Sequence, residues 1–302
     1  MNYIQANTGG RLHAATEPSI APLDRGFLYG DSIYEVWRTY HGVVFAWDEH
    51  WRRLENSATA LHMRLERGPA EVLAEIRRTV AEYRRKVQGN GELYVRLQIS
   101  RGAGQIGLDI ALADRSEYVI LVQPCPEIPA ALAKNGVHLS LSTALRRNPV
   151  QALDPAWKTG NYLNNLLCLR EAKLRGADDV LILNLSGEIA EASVSNVAFV
   201  SKGRIVTPPL SAGILGGITR GVVLGGVAAA AGLEAIERTV LPAEIPSMEE
   251  CFLMSTTKDI VPVGRIDDVP FPLREGSAAS RLKGAFAGYA ADYARAHPDL
   301  RL

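Results

Sequence analysis

Short β-rich runs and helical runs mix along this chain without a repeating strand–helix–strand unit, and that irregular order limits its fold more than any other feature. YEVWRTYHGVVFAW reads as a hairpin, two β-rich arms around a His41-Gly42 turn. Asp48 is expected to cap a helix through Trp51, Leu54 and Ala58, and Pro69 to open a second over AEVLAEIRRTVAEYRRKV. ELYVRLQIS and YVILVQ follow as strands. Prolines crowd PCPEIPA, the best place for a domain boundary. Beyond it come VHLSLST, the helix NYLNNLLCLREAKLR, and the strands DVLILN and SNVAFV. A helix opened by GGITR, then LEAIERT, CFLMST and a final helix near RLKGAFAGYAADYARAH complete the order. The prediction is an α+β protein rather than a doubly wound sheet. Residues 1–122 would form a small N-terminal α+β domain, 123–134 a linker, and 135–302 a large C-terminal domain.

A chain of 302 residues exceeds one average domain, in keeping with two lobes. Thirty-three Lys and Arg balance thirty-three Asp and Glu, so charge favours neither nucleic acid nor an anionic membrane as partner. MNYIQANTGG has no basic or apolar leader region, so no secretory signal is expected. The longest apolar run, Val222 to Leu233, is too short and glycine-rich to span a bilayer. Cys125, Cys168 and Cys251 lie far apart without metal-ligand spacing, which fits a reduced, cytoplasmic compartment and no metal.

The chemistry concentrates in WKTGNYLNN and LNLSGEIAEASVSNVAFV, where Glu191 follows Lys158 by thirty-three residues. Lys158 stands at the mouth of an apolar helical run, and Glu191 in a short polar strand between two hydrophobic ones. Such a pair suits an aldehyde cofactor with a basic ring nitrogen, the amine condensing with the aldehyde and the carboxylate keeping the ring protonated. Taken alone, the pair is weak evidence, since an exposed lysine and a solvated strand glutamate are far commoner. Two further segments change the weighing. SAGILGGITRGVVL places Gly216, Gly217, Ile218 and Thr219 at a glycine turn opening a helix, where free N–H groups and the helix dipole can hold a phosphate. LMSTTKDIVPV adds Ser255, Thr256 and Thr257 after a hydrophobic strand, and Arg53 in DEHWRRLENSA is a candidate third anion ligand, although a helix arginine is more often solvated.

These segments, with DRGFLYGDSIYEVWRTYHG, GEIAEASVSNV and STTKDIVPV, stand in an order that resembles the fold-type IV transaminases, which use pyridoxal phosphate. That family contains branched-chain aminotransferases, D-amino-acid aminotransferases, (R)-amine transaminases and aminodeoxychorismate lyase. The likeness runs from about Arg25 to Pro262. It implies a two-lobed, D-amino-acid aminotransferase-like fold, pyridoxal 5'-phosphate held mainly by the large lobe, and a homodimer. By the same resemblance Lys158 is the catalytic lysine and Glu191 meets the pyridine nitrogen. Arg53, Ile218, Thr219, Ser255 and Thr256 match the phosphate positions, Gly217 joins the cofactor-binding set, and Leu215 packs on the ring face. Tyr162 would complete the cofactor contacts, although it lies four places after Lys158 where branched-chain enzymes have a tyrosine five places on. The Lys-x-x-Asn spacing to Asn161 looks instead like the D-amino-acid enzymes.

The substrate motifs divide in the same way. Tyr94-x-Arg96 and the Ile106-Gly107-Leu108 loop resemble branched-chain aminotransferases, and Tyr29 and Arg38 match that group. GAGQIGLD has no Arg-x-His carboxylate trap of the D-amino-acid type. Tyr34 and Val36 in SIYEVWR look like the D-amino-acid or (R)-amine enzymes, and Thr257 joins the substrate set. Read from the residues alone, Arg96 in an apolar strand is as compatible with a snorkelling surface arginine as with a ligand. Its motif position, and the two-point grip of guanidinium on carboxylate, suit glutamate or 2-oxoglutarate. The expected reaction moves an amino group between an L-amino acid, branched-chain or otherwise apolar, and 2-oxoglutarate. A D-amino-acid or (R)-amine transaminase is the first alternative, and an aminodeoxychorismate-type lyase, releasing pyruvate, the second.

Overall fold

The computed structural model describes residues 3–302, which divide into two compact units. The first takes the chain up to Pro126 together with Trp157–Asn161 and Ala291–Leu302, and the second takes Glu127–Ala156 and Tyr162–Ala290.

The first unit is a six-stranded antiparallel sheet in the order β2-β1-β6-β5-β3-β4. Its strands are β1 (Gln5–Thr8), β2 (Arg11–Ala14), β3 (Ser32–Tyr40), β4 (Val43–Val44), β5 (Leu93–Ser100) and β6 (Glu117–Pro124). A short helix α1 (Arg25–Tyr29) leads into β3. Alternation along the strands sends Ile33, Trp37, Leu97, Ile120 and Val122 into a core with helices α2 (Trp47–Ala60) and α3 (Pro69–Lys86). The β3–β4 hairpin turns at His41 and Gly42, as the β-rich pattern predicts. Both residues have positive φ, 52° and 76°, the twist that two-residue hairpin loops require.

Helix α3 opens at Pro69, where the missing N–H costs no hydrogen bond. Helix α2 corrects the sequence expectation for Asp48. Its N-cap is Ala46, left-handed at φ 52° and without a side-chain hydrogen bond, and Asp48 lies inside the first turn beside Glu49. There the carboxylates act on the helix dipole instead of capping.

The second unit contains helix α4 (Ala130–Asn135), β7 (Val137–Leu141), α5 (Leu163–Leu174), β8 (Asp179–Leu183), β9 (Ile189–Ala192), β10 (Asn196–Ser201) and β11 (Arg204–Thr207). Helix α6 (Ile218–Val222) runs into a π-helical turn that breaks at Gly226 and then into α7 (Ala228–Ala230). β12 (Ala235–Glu237), β13 (Glu250–Ser255), β14 (Asp259–Ile266) and β15 (Val269–Pro270) follow, and α8 (Ala278–Ala296) comes last. The sheet runs β12-β11-β10-β13-β14-β7-β8-β9, with β15 paired to β14. Parallel pairs occur only at β11–β12, β14–β7 and β7–β8 among the described strands, so the unit is α+β. A hydrogen bond from Ala192 N to Ser195 O brings the terminal strand β9 back to β10, so the sheet curls on itself. β9 is buried at every position, not the polar strand that its sequence suggests. Among the described residues no helix is long and apolar enough to cross a membrane.

One seam of the curl depends on two glycines. The β7–β14 register shifts between Val263 and Arg265, and the intervening Gly264 faces Gly136, which has φ 73°. A Cβ on Gly264 would drive into the Asn135 carbonyl oxygen, and one on Gly136 into the Gly264 backbone. Gly264→Ala is expected to cost about 2–3 kcal/mol, because backbone must move to clear the methyl. Chemical denaturation of the variant measures this, and a loss below ~0.5 kcal/mol would show that the seam relaxes freely.

Candidate active site

In the first unit the site is built on the edge of β3. The segment around Lys158 lies along that edge: Tyr34 N donates to Lys158 O at 3.0 Å, Gly160 N to Ser32 O at 2.8 Å, and Ile33 bridges Thr159. Ser57 Oγ of α2 accepts from Lys158 N at 3.1 Å. The lysine lies outside the named strands but is held against a strand edge by these bonds. Its Nζ donates to the Tyr34 hydroxyl at 3.4 Å and lies 4.4 Å from that ring's centroid.

β3 and β5 pair so that Tyr34 faces Gln98, Val36 faces Arg96, and Arg38 faces Tyr94. Directly opposed residues share a sheet face, so all six side chains project from the face opposite the core. Five of them were marked by the sequence; Gln98 was not. The Arg96 guanidinium lies 3.8 Å above the Tyr34 ring and Arg38 lies 4.3 Å above Tyr40. The loop carrying Ile106, Gly107 and Leu108 is tied to α1: Gly107 N donates to the Tyr29 hydroxyl at 3.1 Å, and Arg25 donates to the carbonyls of Gly107 and Leu108. Asp31 is taken up by Arg25 and Arg101.

Behind the sheet, Arg53 forks onto Glu35, Nε to Oε1 and Nη2 to Oε2, both at 2.7 Å. His50 Nδ1 meets the same carboxylate at 2.7 Å. Burial would raise the Glu35 carboxyl, but the Arg53 charge, His50 and their hydrogen bonds outweigh it and hold Glu35 well below the usual carboxylate range. Burial pushes His50 down against the pull of Glu35, leaving a neutral imidazole that donates through Nδ1.

In the second unit Glu191 on β9 is clamped. Arg147 reaches its Oε1 through Nε at 3.0 Å and Nη2 at 2.9 Å, and Asn196 Nδ2 donates to Oε2 at 3.1 Å. Leu215 N adds a longer contact at 3.3 Å. Asn165 holds Arg147 in turn, its Oδ1 accepting from Nη1 at 3.0 Å. Asn196 also donates to Leu215 O at 2.9 Å, and a Cβ on Gly217 would strike its amide oxygen, so only glycine fits there. α6 packs against β13. Here the ladder continues from Asn196–Met254 to Ser195 and Ser255, two serines whose hydroxyls are buried without a hydrogen-bond partner among the described residues. Thr256 and Thr257 form the turn after Ser255, and Tyr162 stands immediately before α5.

The sequence matches the family described as Amino-transferase class IV over residues 32–266. The chain belongs to that family. The enzyme is 32% identical over 278 residues to a putative branched-chain-amino-acid aminotransferase of Methanocaldococcus jannaschii, covering 92% of this chain and 93% of that one. It is 31% identical over 262 residues to a D-alanine aminotransferase of Bacillus licheniformis, covering 85% and 87%. The structure of a T.th. branched-chain amino acid aminotransferase with pyridoxamine 5'-phosphate superposes with a TM-score of 0.84 at 26% identity, over 99% of this chain and 98% of that one. The fold is therefore fold type IV, and the enzyme is a transaminase dependent on pyridoxal phosphate.

Its residues fit that cofactor. A phosphate needs hydroxyl and N–H donors: the hydroxyls of Ser195 and Ser255 are buried without a partner among the described residues, and α6, which begins after Gly217 with Ile218 and Thr219, packs against the strand that ends in Ser255. A pyridinium needs a buried anion, and Glu191 is 5% exposed. Ser195, Arg147, Asn165 and Asn196 escaped the sequence reading, since none lies at a spacing that marks it. Arg147 in LRRN is one of two adjacent arginines, and only their partners separate them, backbone carbonyls for Arg146 and Glu191 for Arg147.

Glu35→Gln is expected to destabilise the enzyme by about 3 kcal/mol, because Arg53 loses its buried counter-charge. Glu35 has a folded pKa below its unfolded value of about 4.3, so its contribution is complete above that pH and drains away as pH falls further. Melting temperatures of parent and variant should therefore converge on acidification from pH 6 to 3. A gap that stays constant across this range would contradict the assignment.

Proposed function

We propose that this aminotransferase moves an amino group between an L-amino acid with a branched or otherwise apolar side chain and 2-oxoglutarate. The observation that carries the reading is Arg96, a half-buried guanidinium on the same sheet face as Tyr34, whose hydroxyl meets Lys158 Nζ. An arginine so placed offers a carboxylate two parallel donors. Ile106 and Leu108 are 76% and 82% exposed on a loop tied to Arg25 and Tyr29, apolar surface suited to an aliphatic chain. Tyr94, Val36, Arg38 and Thr257 complete the proposed substrate contacts.

Bound pyridoxal phosphate supplies an electron sink for charge developing on the substrate α-carbon. Lys158 Nζ takes and returns the proton at that carbon, and the Tyr34 hydroxyl orients it. Glu191, its charge held in place by Arg147 and Asn196, keeps a proton on the pyridine nitrogen. The N–H groups of Ile218 and Thr219, with the Ser195, Ser255 and Thr256 hydroxyls, grip the phosphate. Leu215 would pack on the ring face, Gly217 and Tyr162 would complete the cofactor contacts, and Arg53, which forks onto Glu35, is the further anion ligand in this reading. The enzyme works as a cytoplasmic homodimer in this reading. Phe27 at 74% and Leu163 at 67% exposure are apolar side chains that a second copy would cover.

A D-amino-acid transaminase is the second reading. It is favoured by Tyr34, a tyrosine at the lysine, and by the similarity to D-alanine aminotransferase.

Borohydride reduction of the holoenzyme should fix the cofactor to the peptide containing Lys158; label on Lys173 or Lys258 would overturn the lysine assignment. Arg96→Ala should cost about 2–4 kcal/mol in kcat/KM with 2-oxoglutarate and much less with a short aliphatic 2-oxo acid. Equal losses with both acceptors would place Arg96 at the α-carboxylate or in structure, and would favour the D-amino-acid reading.

A further inference from the structure

Arg96 is pinned by a neighbour two residues along β5. Its Nη2 donates to Gln98 Oε1 at 2.7 Å while its guanidinium lies 3.8 Å above the Tyr34 ring. The other end of the same amide is spent as well, Gln98 Nε2 donating to Ser32 Oγ at 2.8 Å. Ser32 is where the lysine segment attaches: its carbonyl accepts from Gly160 N at 2.8 Å, and a Cβ on Gly160 would strike Ser32 Oγ and come within 3.1 Å of Gln98 Nε2. One amide thus joins the arginine to the strand edge that carries Lys158.

A flexible arginine that binds an anion must first give up the freedom of its side chain, and a contact that has already taken that freedom strengthens binding. A neutral acceptor does this without cancelling the charge. Gln98 Oε1 is the one acceptor that the Arg96 guanidinium meets among the described residues, so its other N–H groups stay uncommitted. An aliphatic residue at this position would leave the arginine loose, and a carboxylate would neutralise it.

We propose that Gln98 is a specificity-determining positioning residue: by accepting from Arg96 and donating to Ser32 it holds the guanidinium over the Tyr34 ring, ready for the second carboxylate of a dicarboxylic 2-oxo acid. The proposal rests on Arg96 reading that carboxylate, as argued above. Gln98 touches no reacting atom, so its effect falls on acceptor affinity and not on the chemical step.

The test compares Gln98→Leu, Gln98→Glu and Arg96→Ala holoenzymes with 2-oxoglutarate and with 4-methyl-2-oxopentanoate as acceptors. Gln98→Leu should raise KM for 2-oxoglutarate on the order of 10-fold, the size of one lost charge-assisted bond, with kcat unchanged. Constants for 4-methyl-2-oxopentanoate should stay within about twofold. Gln98→Glu keeps an acceptor but cancels the charge, and should lose 2-oxoglutarate more severely than Gln98→Leu. Inhibition by glutarate should weaken in both variants while inhibition by 4-methylvalerate holds, a readout independent of turnover of either acceptor. If Gln98→Leu does not fold, as its melting curve will show, Gln98→Glu decides alone by the same ratio. An unchanged acceptor ratio in the Gln98 variants beside a selective Arg96→Ala overturns the role of Gln98 and leaves that of Arg96 standing. A non-selective Arg96→Ala overturns both.

Discussion

Two backbone hydrogen bonds on the free edge of β3, Tyr34 N to Lys158 O and Gly160 N to Ser32 O, position everything else in the first unit's share of the site. They hold Lys158, the lysine proposed for catalysis, against a strand edge. The constraint runs outward from the core: Ile33 and Trp37 are fully buried, so the register of β3 cannot slip without turning its inner face outward. Fixed register presents Tyr34 on the outer face, and Tyr34 then meets both Lys158 and Arg96. Packing far from the chemistry thereby sets the reach of the amine.

Three arginines illustrate how one side chain serves different ends. Arg53 gives Glu35 a two-point partner behind the sheet, and Arg147 brings two nitrogens to one oxygen of Glu191. Buried ion pairs of this kind contribute little net stability, since desolvation offsets attraction, but losing one partner is costly. Their value is placement. Arg96 differs because its partner is a neutral amide and an aromatic face, which leaves the charge free for a ligand. Burial and partner, not residue type, separate the three.

Much of this was readable in the chain, and what was missed has a common cause. His41-Gly42, Pro69 and the strand runs follow from local chemistry, and the structure has them where the pattern places them. Asp48 misled because a left-handed Ala46 starts the helix earlier, a backbone choice that composition does not signal. Trp157–Asn161 carries no β pattern, and it joins β3 only through tertiary hydrogen bonding. Lys158 and Glu191 stood out by motif and order. Arg147, Asn196 and Gln98 did not, because polar residues that support others obey no period or spacing and are recognised only from the partners they meet.

The first unit is also discontinuous along the chain. Its sheet is edged by Trp157–Asn161, and its core takes Ala294 and Leu300 from the last dozen residues. Leu302 N donates to Gly42 O at 2.9 Å, beside the hairpin turn formed by the chain's first quarter. During synthesis the ribosome releases the amino-terminal strands long before these partners exist. The edge of β3 must therefore wait for Trp157–Asn161, and the core behind it for Ala294 and Leu300. Contacts spanning so much sequence are slow to close. Until Trp157–Asn161 arrives, the edge of β3 is available to the wrong strand.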